Sequence, residues 1–383
     1  MPADLLRIAF WADPNETHTR RWAGWFAARG HEVVLIVSPE VEVRAGLPDG
    51  IAVAVWPPYG GGPFKPFRYV AAARVMRRLI AEIRPDVTHA HYLSSYSWLA
   101  WLSGFRPYGV TTWGSDIYYD LTLGRRYTAF GRLALRGASF VTADSRDLLR
   151  ATIAAGARPE RAALVQWGVE VARFADAPAA RLRTSLGLDG RRVVFSPRTI
   201  MPLYNHDVVL RALCRLPADV HLLMSARAAY PDELVRIEGL IGDLGLTDRV
   251  TILPGIAYAD MAAHHRLADV VVSVPNTDGT PVTMWEAMAA GVPMVASDIP
   301  SLREWLADLT PDLLVPIGDV ERTAGAIASV LEMPTPDREA LGDRLRAFAD
   351  ERGDHDRNMA AMEELYRSAV RGHVEIPASI RPS

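Results

Sequence analysis

Short apolar runs alternate with amphipathic stretches from one end of the chain to the other. RIAFWA (7–12), EVVLIV (32–37), IAVAVW (51–56), DVTHAH (86–91), YGVTTW (108–113) and SFVTAD (139–144) are rich in β-branched and aromatic residues and predict strands. Between them, residues 18–29 and 66–84 carry helical spacing, the former closed by Gly30. The pattern then restarts with RVVFSP (192–197), DVHLLMSA (219–226), VTILPG (250–255), DVVVSVP (269–275), PMVASD (293–298) and LLVPI (313–317). Continuous apolar strands joined by helices predict a parallel sheet covered on both faces. Two sets predict an α/β protein of two doubly wound, Rossmann-like domains facing each other across a cleft, with ligands at the carboxyl ends of the strands. The Ala-, Pro- and Gly-rich stretch 170–190 reads as the linker, giving domains 1–175 and 176–355. A last helix at about 355–371 opens the segment 356–383, packing back toward the first domain, and 372–383 reads as a loose tail.

One helix carries a polar anomaly. In NTDGTPVTMWEAMAAGVPMVASD (276–298), Thr280 is placed to cap, Pro281 to open the first turn, and Gly291 with Pro293 to end the helix. Val282, Met284, Trp285, Ala287, Met288, Ala289 and Ala290 cover most of its circumference, so it is expected to be buried on most sides. Glu286 is the one ionisable residue between Thr280 and Gly291, and a buried carboxylate needs a partner.

Composition narrows the classes. With 383 residues, 49% hydrophobic and 23% charged, the chain reads as a folded protein of more than one domain. A net charge of −3 gives no support for a nucleic-acid partner. Lys65 is the single lysine, so arginine abundance by itself does not signal anion recognition. Cys214 stands alone, which excludes an intramolecular disulfide, and it reads as a small core residue. Neither a signal peptide nor an 18-residue uncharged apolar run is present, so the expected location is the cytoplasm.

Residues 269–298 resemble the sugar-nucleotide motif of the retaining GT-B glycosyltransferases of family 4, an acid–Gly–x–Pro–x4–Glu–Ala–Met–Ala–x–Gly–x–Pro pattern. HTRRWAGWFAARGHEVVLIV, DVTHAHY, TTWGSDI, ADSRDLL, VQWGVEVARF and LLVPIGD are similar to further family signatures in the same order, covering roughly residues 5–370. The chain departs in three places. Asp278 stands where Glu is usual, Leu203 stands where a lysine follows the arginine, and ADPNETHTRRW and Trp113 replace a Gly-Gly turn and an acceptor-side histidine.

The resemblance implies a metal-independent, retaining transferase without a cofactor, its nucleotide sugar in the C-terminal domain and its acceptor in the N-terminal one. UDP-sugar is the default donor, GDP-sugar the alternative, and the acceptor a small molecule, glycan or lipid-linked compound. Arg198 would grip the diphosphate with its fork, helped by Tyr204 and Asn205 in place of the lysine. Gly279, Thr280, Pro281 and Val282 would present a helix N-terminus to the phosphates. Glu286 would accept from the ribose hydroxyls and Asp278 would contact the transferred sugar. On the acceptor side the candidates are His18, His91, Trp113, Gly114 and Asp116, with Asp116 as acceptor contact or general base. The run Gly60–Gly61–Gly62 lacks the strand and helix context of a phosphate loop and reads as a mobile loop over the acceptor. Arg74, Arg77 and Arg78 share a helix face opposite Val70, Ala73, Met76, Ile80 and Ile83; this reads as a solvated face, with weak contact to the inner face of the membrane as the alternative. The rival functions are a GT-B-fold epimerase or phosphorylase, and a sugar-nucleotide-binding subunit without chemistry.

Overall fold

The computed structural model describes residues 5–44, 46–58, 65–226 and 229–382. The chain forms two compact units, Met1–Trp167 with Asp356–Ser383, and Gly168–His355. The Gly60–Gly61–Gly62 loop lies outside the described residues.

The first unit is built on seven parallel strands: β1 (Arg7–Trp11), β2 (Glu32–Val37), β3 (Ile51–Val55), β4 (Val87–His91), β5 (Tyr108–Thr111), β6 (Phe140–Ala143) and β7 (Ala162–Leu164). Their order is β3-β2-β1-β4-β5-β6-β7, with Phe10 of β1 opposite Leu35 on one side and His89 on the other. The order reverses between β1 and β4, where chain segments leave to opposite sides of the sheet. Helix His355–Val370 closes this unit through Tyr366, whose hydroxyl meets Trp22 Nε1 at 3.2 Å and His89 Nδ1 at 2.6 Å. Trp25 Nε1 donates to Asp356 Oδ1 at 2.8 Å beside it.

The second unit repeats the plan with β8 (Arg192–Ser196), β9 (Val220–Ser225), β10 (Val250–Leu253), β11 (Val270–Ser273), β12 (Met294–Ser297) and β13 (Leu314–Val315). The order β10-β9-β8-β11-β12-β13 puts its reversal between β8 and β11. The strands β8, β9, β11 and β12 are almost wholly buried, as expected of a sheet covered on both faces.

Several expectations need correction. The second unit begins at Gly168, not at 176, and the stretch read as a linker is ordered. Val169 pairs with Asp354, and helix Val171–Ala175 buries Phe174 with its ring 5.8 Å from that of His265. Helix Ala180–Ser185 follows, tied down by Arg183, which donates to the Leu267 carbonyl at 2.6 Å. Gly168 has φ +62°, and a Cβ there would lie 2.4 Å from the Gly353 carbonyl oxygen, so the crossing admits glycine alone. The tail is packed rather than loose, because Ile376 and Ile380 are buried and Ser368 Oγ bonds the backbone of Glu375. Cys214 is exposed at the end of helix His206–Leu213, not in the core. Val70 also turns outward, half exposed, whereas Met76 and Ile80 of the same helix are buried and Arg74, Arg77 and Arg78 face solvent. Among the described residues no helix is long and apolar enough to cross a membrane.

Candidate active site

The reversal between β8 and β11 gathers the donor-side candidates of the second unit. Arg198 stands two residues beyond the end of β8, and the loop after β11 carries Asp278. Arg198 Nη2 bonds Asp278 Oδ2 at 2.7 Å and also reaches the Tyr204 hydroxyl, while Nη1 lies 3.3 Å from Thr283 Oγ1. The guanidinium sits 4.1 Å above the Tyr204 ring, a cation–π contact. Burial raises the Asp278 carboxyl above its usual range and Arg198 pulls against that shift. Burial likewise works against the charge on Arg198, and Asp278 with Tyr204 more than offsets it.

Asn205 joins the two loops. Its backbone is left-handed at φ 48°, a conformation Asn tolerates, and its Nδ2 donates to the Val274 carbonyl at 2.9 Å and Asn276 Oδ1 at 2.8 Å. Asn276 N–H returns a bond to the Leu203 carbonyl at 2.9 Å, so the position where the family has lysine helps through its backbone. The role expected of Asn205 is therefore modified: its amide is spent on fixing the loop.

Helix Val282–Ala290 starts one residue later than expected, with Pro281 at the cap and no side-chain cap bond. Thr280 Oγ1 instead accepts from Trp305 Nε1 at 2.9 Å. Ser301 Oγ donates to the Asp278 carbonyl at 2.8 Å, fixing the turn through Gly279. The first N–H groups of the helix have no intrahelical acceptor and, with the dipole, favour an anion beside Arg198. Glu286 has a protein partner that sequence reasoning missed: its Oε2 lies 3.2 Å from Nε2 of the fully buried His265. Its Oε1 takes no hydrogen bond from the described residues, and the side chain keeps 7% of its surface open. One oxygen is thus braced and the other is available.

In the first unit the equivalent reversal collects aromatic and neutral groups. The His18 ring lies 5.0 Å from that of Trp167 and 6.0 Å from that of Trp113. His91 ends β4 with the rings of Trp22 and Trp167 at 5.0 and 5.6 Å, and neither of its nitrogens has a hydrogen-bond partner among the described residues. Burial, and then the neighbouring His18, lowers its pKa to about 3, so it is neutral at pH 7. Trp113 Nε1 is likewise buried without a partner among the described residues. Asp116 is fully buried: Oδ1 accepts from the backbone N–H groups of Trp113 and Gly114 at 3.0 and 2.9 Å, and Oδ2 from Leu93 at 2.7 Å. Both oxygens thus take part in holding the backbone around Asp116, the residue expected as acceptor contact or general base. The same unit contains a cavity of about 670 Å³ walled by Trp56, Tyr96, Trp98 and Tyr127, with Glu40 and Arg126 among its polar lining. Nothing in the spacing of SSYSW or RRYTAF set these aromatics apart from core residues.

Known proteins share this plan. The Glycosyl transferase 4-like family matches residues 7–145 and the Glycosyl transferases group 1 family matches residues 180–348. The chain belongs to the group 1, family 4 glycosyltransferases, and its fold is GT-B. It is 33% identical over 200 residues to a D-inositol 3-phosphate glycosyltransferase of Mycobacterium sp. strain KMS, covering 50% of this chain and 45% of that protein. The enzyme of the same name from Mycobacterium bovis is 36% identical over 185 residues, 46% of this chain and 38% of that protein. The chain thus spans less than half the length of these curated relatives. Among solved structures, Anabaena HepE in complex with UDP and glucose aligns with a TM-score of 0.77 at 21% identity, covering 95% of this chain and all of that one. A glycosyltransferase from Rickettsia africae aligns with a TM-score of 0.81 at 16% identity, over 96% and 99% of the two chains.

Proposed function

We propose that the protein is a retaining, metal-independent glycosyltransferase that takes a sugar from a UDP-sugar held by the second unit and passes it to an acceptor hydroxyl. The observation that carries the reading is the convergence, at one strand-order reversal, of Arg198, the N-terminus of helix Val282–Ala290, and the carboxylates Asp278 and Glu286. Departure of a nucleoside diphosphate builds negative charge on its leaving oxygen. A largely enclosed guanidinium and oriented N–H groups stabilise that charge without reorganising, in the place of a divalent ion. Glu286 Oε1 suits a ribose hydroxyl, since an ionised carboxylate only accepts and a hydroxyl can donate. Its Oε2 bond to His265 keeps it from turning away. The choice of UDP is supported by Anabaena HepE, solved with UDP and glucose and with UDP-glucose. The aromatic-walled cavity of the first unit is the proposed acceptor wall, because flat rings stack against the apolar faces of sugars and cyclitols.

Release of UDP from UDP-glucose tests this reading. Arg198→Ala lowers turnover by about 10²–10³, and Arg198→Lys recovers part of it, since a point charge does not reproduce the fork. EDTA leaves the wild-type rate unchanged. Wild-type turnover in Arg198→Ala, or loss on chelation restored by magnesium, would overturn the assignment.

A further inference from the structure

The Nη2 edge of the Arg198 fork is engaged by the protein's own groups. Asp278 Oδ2 sits 2.7 Å from Nη2, the Tyr204 hydroxyl shares that nitrogen, and Thr283 Oγ1 lies 3.3 Å from Nη1. The pair is well enclosed, with side-chain exposures of 12% for Arg198 and 17% for Asp278. A diphosphate that takes the Nη2 edge of Arg198 displaces the carboxylate from its counter-ion, and separating an enclosed pair strands whichever charge finds no new partner.

Building on the donor reading above, we infer that Asp278 acts as a specificity residue that biases the site toward sugar nucleotide and against free nucleoside diphosphate. A sugar nucleotide replaces both halves of the pair: its phosphates take Arg198 and its sugar hydroxyls donate to the released carboxylate. A free nucleoside diphosphate replaces one half. It takes Arg198, brings an additional negative charge, and leaves Asp278 enclosed, unpaired and repelled. After transfer the same imbalance favours departure of the diphosphate and return of Asp278 to Arg198. The motif position alone does not indicate this, because the two residues are 80 apart in the chain and their pairing is a property of the fold.

Calorimetry with UDP and with UDP-glucose tests the inference on the full chain. In Asp278→Asn, UDP binds about tenfold tighter than in wild type, while UDP-glucose gains nothing, so the preference for the sugar nucleotide falls by at least that factor. Removing any carboxylate near a diphosphate raises affinity by long-range attraction, so the same substitution is also made in Arg198→Gln. There the gain disappears if it arises from freeing Arg198. Unchanged or weaker UDP binding in Asp278→Asn overturns the inference. So does an equal gain for both ligands, or a gain that survives without Arg198. Should the amide variant fail to fold, Asp278→Ser removes the same charge with a smaller side chain and is judged by the same three comparisons. A wild-type protein that binds neither ligand overturns the donor reading and this inference together. Binding without the Asn effect overturns the inference alone.

Discussion

Asp116 and Asp278 are both carboxylates enclosed by protein, yet their partners give them different work. Asp278 faces a side-chain cation that can exchange it for a phosphate. Asp116 faces three backbone N–H groups, two in the turn between β5 and the following helix and one in the segment after β4, that cannot leave without dismantling those segments. Burial raises the Asp116 pKa to about 6, with those N–H groups pulling it back. The folded chain therefore takes up this proton near pH 6, and the unfolded chain near about pH 4. The sign follows from linkage: the stabilising contribution is complete below the unfolded value and is lost as pH rises through the folded one. The melting temperature of the wild type should gain on that of Asp116→Asn between pH 7 and pH 5, and a gap constant with pH would contradict it. At this scale the sequence is informative about residue types and silent about pairs. A lone acid in an apolar helix marked Glu286 for attention, but its bond to His265 crosses between two helices. Helical spacing likewise did not reveal that Cys214, just past the last turn of its helix, faces outward.

At the scale of elements, the strands were legible because a buried parallel sheet demands runs of β-branched residues, and VVLIV or VVVS leave little else to build. β7 was missed: Ala162–Leu164 is three residues long, too short for a pattern, and is defined by its pairing with β6. The supposed linker misled because Ala, Pro and Gly there serve short helices and tight crossings, and one Phe174 anchors what composition describes as loose. The helix end at Gly291 was readable and has a measurable consequence. Its φ of +71° is left-handed, and a Cβ would fall 1.8 Å from Arg346 Nη1 and 3.3 Å from the Gly342 carbonyl oxygen. The arginine can swing aside, but it then gives up its 3.4 Å bond to the Ala290 carbonyl at the helix end. Gly291→Ala should lower stability by about 1–2 kcal/mol, a loss of a few degrees by calorimetry, with UDP affinity retained in the folded fraction. An unchanged melting temperature would mean that the turn relaxes at no cost.

Across the whole molecule, the same strand-order reversal is used twice with opposite electrostatics. In the second unit it holds an arginine and a helix N-terminus; in the first it holds a neutral histidine, indole rings and a carboxylate tied to backbone. This division bears on the stereochemistry of the proposed transfer. A double-displacement route needs a carboxylate free to attack the anomeric carbon, and an inverting route needs a base on the face opposite the leaving group. In the proposed donor complex Asp278 is engaged by the sugar hydroxyls, Glu286 is braced by His265, and Asp116 accepts from backbone N–H groups through both oxygens. The group with both the charge and the position to accept the incoming proton is the departing diphosphate, which Arg198 and the helix N-terminus would hold on one face of the sugar. An acceptor that gives its proton to the leaving group must arrive on that same face, and the anomeric configuration is then kept. Water can serve as a slow acceptor, so the outcome is readable without knowing the natural one. Hydrolysis of UDP-α-glucose should release α-glucose, seen by NMR of the anomeric proton before mutarotation. Initial release of β-glucose would require a base on the opposite face, and would overturn the mechanism even with every donor contact in place.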